Sequence, residues 1–514
     1  MTTLSKFLES PWQESDAHDA YRNSFLHMRP APEYATGEVI LASLYRNIGF
    51  STSGVSEGKV PAMGRGFHKS LESGRRPNNV PGVFEPAAWE ETVTGTLRSP
   101  RQPNQTAKRL LQMAPIVPDA TLYCLSARNS ANSWNPGALV KSMVSLAKRA
   151  SLGGPDLWRQ LYLSLSVTPG DDVWAIALDR EFKSWRDKKS AIEWSEPLPL
   201  ETGKAAQFWN EDGQLTAIPA NQFVVDLGHA LTRKGLLTRK QWITAIESLL
   251  RIGTASHVLW QCHANATLWN TMERVLLYDE PAPDESELRR SLSTESAFWR
   301  YGQLAAPTIR EHARNFAIAR IALNLLLFMF ESSALRTVPD NGLGNIKYIA
   351  NLLQDLYEHR AAFPKSEYQD SLAGLLEEHR AVVSCKRGIS SNVSEFLRHS
   401  LGQRQTNEAG LDSYDQGYFL SKRGSYASAP WVLSIGPVSA LTLVDCCTQT
   451  SRAPRTVSDF ANHLARYGIE VTPEEVMAND LGRTLRNLNL VLDSPDAEGG
   501  MVLVSPFQGR SAIG

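Results

Sequence analysis

Read in order, the chain alternates between stretches whose apolar residues recur at helical spacing and stretches with no period. The first convincing helix covers residues 38–45, where Val39, Ile40, Ser43 and Leu44 share one stripe and Gly49 ends the run. Through residues 58–109 the period disappears. Pro61, Gly64, Gly66, Gly74, Pro77, Pro81, Gly82, Pro86, Pro100 and Pro103 punctuate this stretch, which predicts loops and short extended pieces. Helices return beyond it, with Leu139, Met143 and Leu146 at i, i+4 and i+7. Residues 190–219 are broken by Pro197, Pro199, Gly203 and Gly213 and read as a linker or domain edge. After that the helical signal is nearly continuous. Trp242, Ala245, Ile246 and Leu249 form one face, and a long helix is expected from about 307 to 336. Ile346, Ile349, Ala350, Leu353, Leu356 and Tyr357 line another, and Leu372, Leu375, Leu376, Val382 and Val383 a further one. Such a succession predicts a helical bundle or an irregular helical array. Glu-His-Arg recurs at 358–360 and 378–380, but the flanks disagree and no repeat of fixed length emerges. Residues 402–407 hold no apolar side chain and mark the softest loop of the C-terminal half.

The last sixty residues are the best punctuated. Thr456 and Ser458 are candidate caps for a helix carrying Val457, Phe460, Ala461 and Leu464, and Gly468 stops it. Thr472-Pro473 opens a second short helix, with a capping hydroxyl and a proline in the first turn. A third is expected from about 480 to 490. Val491-Leu492 and residues 501–504 then read as strands joined by the turn-rich stretch 493–500. Three helices and a hairpin, in that order, are the plan of a winged helix. On the third helix Leu481, Leu485 and Leu488 fall on one face, while Arg483, Arg486 and Asn487 fall on the other. Donors so placed suit base edges or phosphates.

The fold class expected is therefore mainly α, a multi-domain helical protein with a C-terminal winged-helix-like (α+β) module. The divisions are an N-terminal helical segment (1–57), a basic Pro/Gly-rich loop segment (58–109), a Trp-rich helical region (110–218), a helical bundle (219–400), a flexible loop (401–429), and a C-terminal stem with its module (430–514). A length of 514 residues accommodates several such units.

Charge changes this picture locally. The whole chain has a net charge of −1, so any polyanion must be met by a patch. Residues 58–109 supply one, with nine basic against four acidic side chains and with Phe67, Phe84 and Trp89 among them. Arg65, Lys69, Arg75 and Arg76 are its candidate nucleic-acid contacts. The terminal module works against the same idea. Residues 452–514 carry six basic and eight acidic residues, and phosphate neutralisation supplies most non-specific affinity for DNA. Eight tryptophans between 157 and 270 are expected to fill gaps between helices, each indole N–H finding a partner.

No apolar run reaches the ~20 residues of a membrane span. The most apolar stretch, 321–330, is interrupted by Asn324 and predicts a buried helix. No basic-then-apolar leader opens the chain. Five scattered cysteines without C-x-x-C spacing suit a reducing compartment, so a cytoplasmic location without a membrane partner is expected.

Catalytic signatures are missing from the sequence. Residues 64–70 lack the glycine-lysine adjacency of a phosphate loop, no H-E-x-x-H occurs, and no G-x-S-x-G elbow marks a nucleophile. His257, Cys262 and His263 are too few and ill-spaced for a metal and read as structural; Glu358-His359 and Glu378-His379 read as solvated helix faces. No catalytic residue, metal or cofactor is therefore expected. The expected function is that of a non-enzymatic accessory subunit of a prokaryotic multi-protein system acting on nucleic acid, such as anti-phage defence. It would bind DNA or other protein subunits. A purely protein-binding scaffold and a hydrolase assembled only in space are the alternatives.

Overall fold

In a computed structural model of the chain, the helix of residues Arg239–Leu277 is the hub. The structure describes residues 3–28, 35–50, 114–122, 136–147, 155–185, 192–200, 218–293, 298–334, 336–402, 415–424, 426, 428–449, 453–492 and 501–507. Thr238 caps the hub helix: its hydroxyl accepts the Gln241 backbone N–H while the Gln241 side chain returns to the Thr238 N–H. At 39 residues the helix is about 58 Å long. Every residue from 246 to 262 is buried, so the helix is enclosed on all sides there. It packs against Ala305–Ala334, Pro219–Thr232, Pro437–Thr448, Gly37–Gly49, Ile346–His359 and Gly388–Ser400. Its closest approach to Pro219–Thr232 depends on Gly253, where a Cβ would lie 2.3 Å from the Phe223 ring.

The mainly helical expectation holds. The helix Ala305–Ala334 has the length and composition of a membrane span, yet 78% of its apolar window is buried inside the protein. Packed protein surrounds it, as the Asn324 interruption led one to expect. The expected helix through 372–383 is divided. Lys365–Glu378 ends at His379, and a separate short turn, Arg380–Val383, follows. The tryptophans fill the core: Trp242 donates to the Ala230 carbonyl, Trp260 to that of Leu292, Trp194 to Ser166 Oγ and Trp269 to Tyr368 Oη. Cys262, Cys385, Cys446 and Cys447 are free thiols. The expected loop at 402–407 falls almost wholly outside the described residues, as does the basic segment 58–109.

Among the described residues, strands are short and paired in twos. Leu420–Lys422 runs antiparallel to Trp431–Leu433, and Val491–Leu492 antiparallel to Val502–Leu503. Trp299–Arg300 pairs in parallel with Ile469–Glu470. This last pair stitches the C-terminal residues to the chain just ahead of the Ala305–Ala334 helix, a contact the sequence gave no reason to expect.

From Val457 onward the elements appear in the expected order. Val457–Ala465 is capped by Thr456, whose hydroxyl and Asp459 form a reciprocal box. Gly468, at φ +77, turns the chain out of that helix. Pro473–Ala478 is capped by Thr472 and Glu475, and Asp480–Asn487 by Asn479. The antiparallel pair at 491–492 and 502–503 closes the unit, and Thr456 bridges to Val502. Val457, Phe460, Leu464, Val476, Leu481, Leu485, Leu490 and Leu503 form its core.

Candidate nucleic-acid interface

The third helix of the C-terminal unit, Asp480–Asn487, is strongly two-sided. Leu481 and Leu485 are fully buried and Leu488 is half-buried, whereas Arg483, Arg486 and Asn487 are exposed. The Arg483 side chain has no hydrogen-bond or ion-pair partner among the described residues. Arg486 Nη1 makes one long contact, 3.5 Å, to the Met477 carbonyl. The other four sequence candidates, Arg65, Lys69, Arg75 and Arg76, lie outside the described residues.

The acidic residues that weighed against this face are largely engaged elsewhere. Asp480 accepts from Tyr301 Oη at 3.1 Å and from Ser434 Oγ at 3.3 Å. Burial, with the Asp480 charge beside it, pushes the Tyr301 phenol well above its ordinary pKa, so it stays a donor. Glu475 accepts the Thr472 backbone N–H and pairs with Arg300, and those two contacts hold its carboxyl below the usual range. Asp459 is held low by the Thr456 N–H and hydroxyl and by Arg455. A net count over the unit therefore understates how positive the outer face of its third helix is.

Behind that unit lies a polar seam that the sequence did not reveal. Gln222, Asp226, His229 and Arg233 follow at i, i+4, i+7 and i+11 along Pro219–Thr232 and its cap, and they face Pro437–Thr448 and Val457–Ala465. Asp226 is 0% exposed. Its carboxylate accepts from Gln222 Nε2 at 2.7 Å and from Tyr467 Oη at 2.8 Å, and His463 Nε2 lies 2.9 Å away. Facing a carboxylate, that imidazole nitrogen carries the proton. Burial and the Asp226 charge raise the Tyr467 phenol well above its ordinary pKa, which keeps its proton in place. Arg466 Nη1 reaches Gln222 Oε1 at 2.9 Å.

One turn along the helix, Asp445 lies 2.7 Å from His229 Nε2 and accepts from Arg233 Nε at 3.0 Å and Nη2 at 3.1 Å. Ser505, just past the last strand, also bonds to Asp445, and Phe507 lies under the Arg233 guanidinium at 5.9 Å. A serine, a histidine and an aspartate thus meet here, but the hydroxyl bonds the carboxylate and not the imidazole, so this is not a nucleophile arrangement. Every carboxylate in the seam is filled by protein donors. Its chemistry is that of an anchor.

Burial alone would raise the Asp445 pKa, but the bonds and charges of His229 and Arg233 outweigh it and hold the carboxyl below its ordinary value. A depressed folded pKa contributes stability that is complete above the unfolded value, about 4, and is lost as pH falls through the folded one. Acid titration of unfolding free energy should therefore steepen below about pH 4. In Asp445→Asn that component is expected to vanish; an unchanged acid limb in the variant would contradict the assignment.

The other sequence candidates are dispersed. His257 is buried beside Trp260, and burial lowers its pKa to about 3; His263 Nε2 meets the Ser291 carbonyl at 3.1 Å. Asp355, Glu358 and His359 bring ligand atoms within 4.8 Å of one another on a solvated face, where Arg336 already pairs with Asp355. Neither Glu358-His359 nor Glu378-His379 sits in the seam. No family model and no curated protein sequence matches the chain.

Proposed function

We propose that the protein is a nucleic-acid-binding accessory subunit without catalysis of its own, and that its C-terminal unit is a winged-helix-like module presenting Arg483, Arg486 and Asn487 to the duplex. The observation carrying this reading is the two-sidedness of the third helix: buried leucines behind, unengaged donors in front, and neighbouring carboxylates turned to Tyr301, Arg300 and Arg455. The basic segment 58–109 is a second contact in the same reading, through Arg65, Lys69, Arg75 and Arg76. The seam supports a rigid presentation, since a reading head must be held fast by the body that carries it. The larger assembly is expected to be a prokaryotic multi-protein system, with other subunits bound elsewhere on the helical surface.

Fluorescence anisotropy with labelled duplex and single-stranded DNA across a salt series tests this. Binding should weaken steeply with salt, and Arg483→Ala with Arg486→Ala should cost about tenfold or more in affinity while lowering the salt slope by about two. Absence of binding at low salt, with the variant and wild type alike, would defeat the reading in favour of a face that docks protein.

A further inference from the structure

The N-terminal segment, residues 3–28, crosses the helix Ala305–Ala334 and hides a group of donors with nothing to donate to. Arg320, in the middle of that helix, is 1% exposed. Its Nη1 and Nη2 reach the carbonyls of Met28 and Trp12 only at 3.4 Å, and its Nε has no partner. No carboxylate pairs with it among the described residues; Glu14 acts on it electrostatically without forming an ion pair. Arg239 and Arg251 are buried to the same degree, and each has its carboxylate: Asp171 for one, Asp415 and Glu247 for the other. Arg320 is the exception.

Two further donors adjoin it. Trp12, whose carbonyl Arg320 touches, has an inaccessible indole N–H without a partner, unlike Trp194, Trp242, Trp260 and Trp269. The His379 ring meets the Trp12 ring edge-on, with centroids 5.7 Å apart, and its Nε2 is likewise unpartnered. Three elements thus bring a guanidinium, an indole N–H and an imidazole together around one residue. Buried donors left unpaired are destabilising, and a set made of donors alone selects a partner with negative charge and several lone pairs.

We propose that Arg320, Trp12 and His379 form a binding site for a small oxyanion of the phosphate or carboxylate class. Trp12 and His379 are half-buried and form the rim of the site, so the anion enters as the Trp12 ring swings outward. The site is independent of the third-helix face, and its test is separate from the DNA measurements.

The full-length protein is titrated by calorimetry and by thermal unfolding with potassium phosphate, and separately with potassium acetate, against potassium chloride at equal ionic strength. A saturable rise in melting temperature is expected with at least one of the two anions, and which one responds identifies the class. Trp12→Phe keeps the ring and removes only the N–H, so it should weaken binding about tenfold, the equivalent of one hydrogen bond. Arg320→Gln should abolish binding; because that buried substitution can prevent folding, Trp12→Phe carries the decision. Arg483→Ala with Arg486→Ala should leave anion binding unchanged. Failure of both anions to give saturable binding, or equal binding by Trp12→Phe and wild type, overturns the proposal.

Discussion

Replacing Asp226 with alanine is expected to lower the unfolding free energy by roughly 3–5 kcal/mol. The carboxylate is sealed from solvent and is the common acceptor for Gln222, His463 and Tyr467. Deleting it leaves three polar groups facing one another in the seam, each carrying the cost of an unmade buried hydrogen bond. The effect should be graded. Tyr467→Phe removes one donor and leaves Asp226 two others, so a loss of about 1–2 kcal/mol is expected. Because the seam joins Pro219–Thr232 to Val457–Ala465, the damage should appear first as detachment of the C-terminal unit. Hydrogen exchange ought to report early loss of protection in residues 457–492 while the hub helix keeps its own. A change in Asp226→Ala within about 0.5 kcal/mol of wild type, as for an ordinary surface site, would show that the seam does not hold the unit in place.

That seam was hidden from the sequence for a definable reason. Asp226 and His463 are separated by 237 positions, and Asp445 and His229 by 216, so neither pair leaves a local spacing to find. The one available trace was the run Gln222, Asp226, His229, Arg233, a polar stripe at helical spacing inside an otherwise apolar segment. Elements with chemical punctuation were legible. Pro437 after Gly436, Thr472-Pro473 and Thr456 all open helices where the sequence places them, and the 3.6-residue period marked Ile346–His359. The hub helix was legible only at its amphipathic start. From 246 to 262 it has no solvent face, so the alternation that betrays a helix is absent. Strands of two residues, such as Trp299–Arg300 and Ile469–Glu470, are too short to show a period of two. The exposed triplet Arg483, Arg486 and Asn487 was readable because Leu481 and Leu485 fixed the opposite face. The net charge of the unit obscured it, since a count does not know that Asp480 and Glu475 are turned toward Tyr301 and Arg300.

A second large loss is expected at the N-terminal end of the hub helix. The Arg239 guanidinium gathers three separate stretches of chain. Nε donates to the Ile116 carbonyl at 2.6 Å, Nη1 to Ser166 O at 3.2 Å and to Asp171 at 3.0 Å, and Nη2 to the Leu165 carbonyl and to Tyr45 Oη. Burial opposes its charge, but the Tyr45 and Asp171 contacts outweigh that and hold the proton more firmly than usual. Arg239→Met keeps the aliphatic bulk and removes every one of these donors. Three backbone carbonyls and the buried Asp171 then lose their partner, with only Lys234, 3.1 Å from Asp171, remaining to pair with it. A destabilisation of roughly 3–5 kcal/mol follows from breaking a buried charge network on one side. Arg239→Lys should recover less than half of it, because a single ammonium cannot span a fork of five donors directed at separate acceptors. The loss should be confined to the residues that Arg239 ties together. Exchange protection is expected to fall first in Gly37–Gly49 and Pro155–Leu165, with Val457–Ala465 protected as before. Equal stability of Arg239→Lys and wild type would mean that charge alone suffices at this position, and that the fork geometry contributes nothing to holding the N-terminal helices on the hub.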